Sequence, residues 1–281
     1  MKLITWNIQW CRGADGRVEP QRIVAHARRL ADFDVLCLQE VAANFDELPG
    51  SAGENQFEIL AALLPGYTAV PGAAIDRLGA DGRRQVFGNM ILSRYPVLAV
   101  VRTQLPSPFD PKRPSMPRML LEATLHTPLG PLRVMTTHLE YYSARQRATQ
   151  VEAIRQHHAE ACDWAGGATR SGKSSGPFRR VAQTRSAILT ADFNFKPDDP
   201  LHARMQAREG NASRFVDVWQ HLHPDVAHPL TLGLHDRRQW PTPMTCDFIY
   251  ATEDLLPRLR AVQVDGTTDA SDHQPVLAVF E

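Results

Sequence analysis

Several short apolar runs in this chain each carry, at one end, a polar side chain of a type that does chemistry. Asn7 closes Leu3-Ile4-Thr5-Trp6, Glu40 closes Val35-Leu36-Cys37-Leu38-Gln39, and His138 closes Leu132-Arg133-Val134-Met135-Thr136-Thr137. Asp192 and Asn194 follow Ala187-Ile188-Leu189-Thr190-Ala191, and Asp247 opens Phe248-Ile249-Tyr250. Asp272-His273 come just before Pro275-Val276-Leu277-Ala278-Val279-Phe280. Such runs read as buried strands, and strand ends are where a layered α/β fold gathers groups that are distant in sequence. Hard oxygen ligands, a carboxylate–histidine pair and amide donors are the components of metal-assisted phosphate ester hydrolysis. The residue types therefore predict a hydrolase.

The elements that must position these groups alternate strand and helix. A strand at Lys2–Trp6 leads to a helix near Gln21–Leu30, with Pro20 suited to its first turn. Val35–Gln39 is the next strand, and Gln56–Leu64 has helical spacing that stops at Pro65-Gly66. Strands are expected at Tyr67–Val70, Val86–Ser93, Val97–Thr103, Leu120–His126 and Leu132–Thr137, with Thr127-Pro128-Leu129-Gly130 as a hairpin link. A long helix from Ser143 to about Trp164 starts on a serine N-cap and carries Val151, Ile154 and Ala161. Strands return at Ser186–Ala191, Thr245–Thr252, Leu259–Val264 and Pro275–Phe280. This mixed order predicts an α/β four-layer sandwich, two mixed β-sheets packed face to face with helices outside. A cut into two domains would split the candidate site, so residues 1–281 are expected to form a single catalytic domain.

Lysine plus arginine and aspartate plus glutamate are equal at 31 each, so the net charge is zero. Non-specific duplex binding runs on phosphate neutralisation, and a general duplex binder is usually more basic. The four cysteines, Cys11, Cys37, Cys162 and Cys246, form no C-x-x-C pair, and Cys37 and Cys246 lie inside apolar runs as buried free thiols would. The N-terminus meets Asn7 and Gln9 too soon for a signal-peptide core. No segment approaches the roughly 20 apolar residues that span a bilayer. A cytoplasmic protein with no membrane span and no obligate protein partner is the expectation.

Two patterns invite over-reading. Gly167-Ala168-Thr169-Arg170-Ser171-Gly172-Lys173-Ser174 matches the P-loop pattern, within a glycine- and serine-rich stretch at Gly166–Gly176 that reads as a flexible loop. A P-loop needs a buried strand before it and a helix after it. Here a polar helix precedes, and Pro177-Phe178-Arg179-Arg180 follow, so the match is assigned to chance. His157-His158, on the long helix, lack the i, i+4 pairing of a zinc site and are expected on the surface.

Taken together, Thr5-Trp6-Asn7-Ile8-Gln9, Leu38-Gln39-Glu40, Asn89-Met90-Ile91-Leu92-Ser93-Arg94-Tyr95-Pro96, Thr137-His138-Leu139-Glu140, Asp192-Phe193-Asn194, Cys246-Asp247-Phe248-Ile249 and Ser271-Asp272-His273 resemble the endonuclease/exonuclease/phosphatase superfamily of metal-dependent phosphoesterases, in its order and over nearly the whole chain. The resemblance implies Mg2+, with Mn2+ able to substitute, on Glu40, with Asn7 as ligand or hydrogen-bonding neighbour and Asp272 completing the metal shell or holding a water. It gives Asp192 the attacking water, to orient or deprotonate, and Asn194 the scissile phosphate. Asp192 and Asn194 are expected to alternate on one strand end and face the same side, the plainer alternative being an Asx turn. His273, with Asp247 accepting its other ring proton, would stabilise the transition state or protonate the leaving oxygen. The family more often has glycine where this chain has Ala191. His138 in Thr-His-Leu resembles the phosphatase, sphingomyelinase, deadenylase and tyrosyl-DNA phosphodiesterase branches, where a histidine donates to a non-bridging oxygen; apurinic endonucleases usually carry tyrosine.

A phosphate ester, with nucleic acid and nucleotides among the candidates, is thus the expected partner, and a phosphodiesterase or phosphatase the leading expectation. A DNA repair nuclease is the second, and a catalytically silent phosphate-binding protein on the same fold the third. Glu140, Tyr141 and Tyr142 are expected to line the site, and Trp10, Trp240 and Leu234-His235-Asp236-Arg237-Arg238 to form its rim.

Overall fold

In the computed structural model, residues 1–167, 175–178 and 181–281 are described. In chain order the elements are β1 (Lys2–Asn7), α1 (Pro20–Leu30), β2 (Val35–Ala43), α2 (Gln56–Leu63), β3 (Thr68–Leu78), β4 (Arg84–Ser93), β5 (Val97–Gln104), β6 (Met119–Thr127), β7 (Gly130–His138), α3 (Ala144–Gly166), β8 (Ala187–Asp192), α4 (Pro200–Gln206), β9 (Phe215–Asp217), α5 (Val218–Leu222), β10 (Asp247–Thr252), β11 (Leu259–Val264) and β12 (Val276–Phe280). They build two six-stranded sheets, ordered β11-β12-β1-β2-β4-β3 and β5-β6-β7-β8-β10-β9. Both are mixed: β1 and β2 run parallel in the first, β7 and β8 in the second, and antiparallel pairs complete each.

The apolar runs are continuous because the central strands are covered on both faces. Leu3, Val35, Cys37 and Ile91 meet Leu121, Val134, Ile188 and Ile249 between the sheets. Alternate residues Ile4, Leu36 and Leu38 point the other way, under Ile23 and Ala27 of α1 and Leu60 of α2. On the far side Met135 and Leu189 pack under Val151 and Ile154 of α3. This is the four-layer α/β sandwich. Ser143 caps α3 by accepting from the Gln146 N–H.

Three departures from expectation have physical causes. β3 continues through Pro71-Gly72 to Leu78, since at a sheet edge a proline breaks no interior ladder. α4, α5 and the three-residue β9 carry no periodicity long enough to read. His158 is buried rather than on the surface, and His157 is half-buried. Arg133 on β7 makes two hydrogen bonds to Glu122 on β6, at 2.9 and 2.7 Å. His157 lies 3.0 Å from Glu122 Oε2, and His158 Nδ1 accepts from Arg133 at 3.1 Å. The four thus form one polar network under α3.

The P-loop-like stretch lies, from Ala168 to Ser174, outside the described residues; what precedes it is α3, not a strand. All four cysteines are free and buried. Among the described residues no helix is long and apolar enough to cross a membrane.

Burial alone would raise the Glu122 pKa, but hydrogen bonds from His157 and Arg133 hold it down at about 2. Removing one member of a buried ion pair strands the other, at a cost of about 3–5 kcal/mol. Glu122→Ala should therefore lose about that much in urea unfolding, whereas Asp81→Ala, which breaks an exposed pair with Arg83, should change stability by less than about 1 kcal/mol. Equal small losses in both would contradict the network.

Candidate active site

Strand register brings the candidate residues together. β7 and β8 pair with His138 opposite Asp192, and β8 and β10 pair with Asp192 opposite Asp247. Three polar groups therefore stand side by side at one end of the second sheet. On the first sheet Asn7 lies opposite Gln39, so Asn7 and Glu40 reach the same end from neighbouring strands. Thr5 opposite Val276 sets the start of β12 beside them, which delivers Asp272 and His273.

Backbone geometry then aims the side chains. The pairing of β2 with β4 slips between Leu38 and Val41, and in that slip Glu40 has φ 60°. A bulge re-aims one side chain without ending the strand. Gln9, Trp10 and Cys11 are consecutive left-handed residues, at φ 45°, 43° and 62°, and Asn194 has φ 53°. Each such residue costs about 1–3 kcal/mol, and clusters of them mark functional sites.

The hydrogen bonds link the two sheets. Asn7 Nδ2 donates to Glu40 Oε1 and to Asp192 Oδ2, both at 3.0 Å. Asp192 Oδ2 also lies 3.3 Å from His138 Nε2 and 3.6 Å from His273 Nε2. His273 Nδ1 is 2.9 Å from Asp247 Oδ2, and Thr231 Oγ1 donates to the same oxygen at 2.6 Å. The His273 carbonyl accepts from Trp6 Nε1 at 2.9 Å, and Ser271 Oγ donates to the Asn7 carbonyl at 2.8 Å. Asp272 Oδ2 accepts from Gln9 Nε2, Trp240 Nε1 and Gln239 Nε2 at 2.8, 2.9 and 3.3 Å.

Electrostatics separates the groups. Glu40 is pushed up to about 7 by burial and then by the charge of Asp272. Asp192 rises to about 6, through burial first, although His273 pulls the other way. His138 is held well below its ordinary value by burial, Arg118 and His273, and is neutral. Burial pushes His273 in the same direction, but Asp247, Asp192 and Asp272 overcome it and raise the ring well above its ordinary value. Two histidines of one pocket thus hold opposite charge states.

Glu40, His138 and Asp192 bring ligand atoms within 4.8 Å of one another. Among the described residues neither carboxylate has a lysine or arginine ion partner. Carboxylates largely withdrawn from water in that state are costly unless a cation joins them, and hard oxygen donors suit Mg2+ or Mn2+. The residues present fit a divalent cation. A second cluster, His202, Asp217 and His228, is satisfied internally. His202 Nδ1 accepts from Gln206, so its Nε2 keeps the proton and donates to Asp217 at 2.8 Å.

All eight candidate residues come to one cleft region, with two adjustments. Asn194 lies beyond the end of β8, where its N–H donates to Asp192 Oδ1 at 3.0 Å and its Nδ2 to the Leu139 carbonyl at 2.9 Å. That is the Asx-turn geometry and not strand alternation. The rim includes Trp10, Trp240, Gln239 and Leu232, whereas residues 234–238 do not line the cleft. Glu140, Tyr141 and Tyr142 do line it. Gln9, Arg118, Thr231 and Gln239 were not among the sequence candidates; Gln9 stood inside a quoted motif, and the others sit in irregular segments without any spacing signal.

The profile described as Endonuclease/Exonuclease/phosphatase family matches residues 4–273. No curated protein matches the chain by sequence. Among solved structures, an endonuclease/exonuclease/phosphatase from Beutenbergia cavernae aligns at 23% identity and TM-score 0.70, covering 99% of this chain and 70% of that one. A mannosyl-6-phosphatase from Bacteroides thetaiotaomicron aligns at 16% and 0.67, covering 100% and 99%. D. rerio TDP2 complexed with single strand DNA product aligns at 18% and 0.66, covering 100% and 98%. At these identities the likeness establishes the fold.

The raised pKa of Glu40 has a definite sign. A carboxyl favoured in its neutral form contributes stability below the ordinary carboxylate range, and that contribution is lost as pH rises through about 7. Glutamine mimics the neutral form at every pH. In chelator, Glu40→Gln should match the wild type at pH 4 and exceed it at pH 8, by an amount on the order of 3 kcal/mol in denaturant unfolding. A variant less stable than wild type at pH 8 would contradict this.

Proposed function

The chain belongs to the endonuclease/exonuclease/phosphatase family, and from that premise we propose that it is a divalent-metal-dependent hydrolase of phosphate esters, a phosphodiesterase or phosphatase, acting as one catalytic domain over residues 1–281. The observation that carries this is the Asn7 amide joined at 3.0 Å to two carboxylates, the half-buried Glu40 and the buried Asp192, both raised towards neutrality. Glu40, with Asp272 near enough for its charge to raise it and Asp192 and His138 close by, would hold the metal, Mg2+ or Mn2+ by its donor type. When bound, the ion supplies charge neutralisation at the phosphate oxygens.

The remaining steps are assigned to side chains. Asp192, at about 6, is poised near working pH, where a general base is effective. It orients a water for in-line attack and takes one of its protons. His273 carries its proton because Asp247 holds Nδ1, and Nε2 faces Asp192 from 3.6 Å. It stabilises the developing charge and gives that proton to the leaving oxygen. Neutral His138 donates one hydrogen bond to a non-bridging oxygen. Asn194, oriented by Leu139, has a second amide N–H for the phosphate. The water's O–P bond forms as the ester's P–O bond breaks, and the protons balance.

Zero net charge argues against a general duplex binder. Single-strand DNA belongs in the substrate panel because TDP2 with such a product shares the fold. Activity on p-nitrophenyl mono- and diesters should vanish with EDTA and return with Mg2+ or Mn2+. His273→Ala and Asp192→Asn should each slow turnover by about 10²–10⁴-fold, and the double variant should fall far short of the product of the two losses. Full activity in chelator, or near-wild-type turnover by His273→Ala on an ester with a poor leaving group, would defeat the proposal.

A further inference from the structure

Arg118 is the buried cation of the cleft that the chemistry above leaves unused. It stands just before β6, is 5% exposed, and lines the cavity beside Glu40 and His138. Among the described residues its side chain has one partner, Glu140 Oε2, at 3.4 Å from Nε. Its Nη1 is shut away from solvent with no partner at all. A buried guanidinium N–H left unpaired is expensive, and native proteins retain such a group where something else comes to satisfy it.

Glu140 is well placed to hold this arginine. It is fully buried, its Oε1 accepts from the Tyr142 N–H at 2.9 Å, and its own N–H donates to Gln150 Oε1 at 2.9 Å. One side of the guanidinium is therefore fixed to a rigid carboxylate, and from there the side chain lines the cleft. Arginine forks match phosphate oxygens in shape as well as in charge. Among the described residues Arg118 is also the one arginine or lysine lining the cleft, against Glu40, Glu140, Asp192 and Asp272.

Building on the phosphate-ester chemistry proposed above, we propose that Arg118, oriented by Glu140, binds a non-bridging oxygen of the substrate phosphate. Glu140 is then a positioning residue. The competing role for Arg118 is that of a counter-ion for Glu140 and nothing more.

Calorimetric titration of inorganic phosphate into the Mg2+-loaded protein separates the two. The double variant Arg118→Met/Glu140→Gln removes both buried charges together, so neither is stranded. It should bind phosphate at least tenfold more weakly than wild type and lose about 10²–10³-fold in kcat/KM on bis(p-nitrophenyl) phosphate, with its melting midpoint near that of wild type. Arg118→Lys, which keeps the charge without the fork, should recover part of the phosphate affinity. Glu140→Gln alone should raise KM more than it lowers kcat. Wild-type phosphate affinity and turnover in the double variant would reduce Arg118 to a counter-ion and overturn the proposal, as would a wild-type protein that binds no phosphate. Phosphate binding that depends on Arg118 in a protein that turns over no ester would uphold the anchor and defeat only the hydrolase proposal.

Discussion

One amide holds two carboxylates in place. Asn7 Nδ2 donates to Glu40 on its own sheet and to Asp192 on the facing sheet, each at 3.0 Å. A neutral donor can fix the position of two carboxylates but cannot compensate their charge. Burial first, and then neighbouring carboxylates, pushes both groups up against the lowering effect of the Asn7 hydrogen bond. That uncompensated charge also accounts for the surroundings, because the core between the sheets must be rigid enough to hold an arrangement that is unfavourable on its own. The left-handed backbone at Gln9, Trp10, Cys11, Glu40 and Asn194 adds to the same local cost.

The two histidines show how neighbours decide protonation. His138 and His273 are both buried and both within 3.6 Å of the same Asp192 oxygen. His138 has Arg118 and His273 close by, and stays neutral. His273 has Asp247 bonded to one ring nitrogen and two further carboxylates near, and carries charge. A neutral donor and a charged one are thus set on either side of Asp192. In the proposed reaction that difference divides phosphate binding from proton delivery.

The layers were legible because central strands buried on two faces must be written as unbroken apolar runs, and Asn7, Glu40, His138, Asp192, Asp247 and His273 were legible because each sits where such a run ends or begins. The bulge that turns Glu40 was not, since Gln39-Glu40 looks like ordinary strand until the slip in pairing with β4 is seen. Asn194 was placed on the strand because the period of two continues through Phe193, whereas its positive φ belongs to a turn. The inward placement of His157 and His158 could not be read, because their partners Glu122 and Arg133 come from strands earlier in the chain. Arg118 lies after a run of loop residues with no pattern, and only the packing against Glu140 gives it meaning.

Whether Glu40 and its neighbours form a site completed by a divalent cation is decided by titrating Mn2+ into the metal-free protein and following the bound ion by electron paramagnetic resonance. Metal binding must displace the proton that the raised pKa of Glu40 retains. Wild-type protein should therefore bind Mn2+ saturably, more tightly at pH 8 than at pH 6, and Glu40→Gln should bind at least about tenfold more weakly at pH 8. Mn2+ affinity unchanged by Glu40→Gln, or no saturable binding by the wild type, would contradict the account.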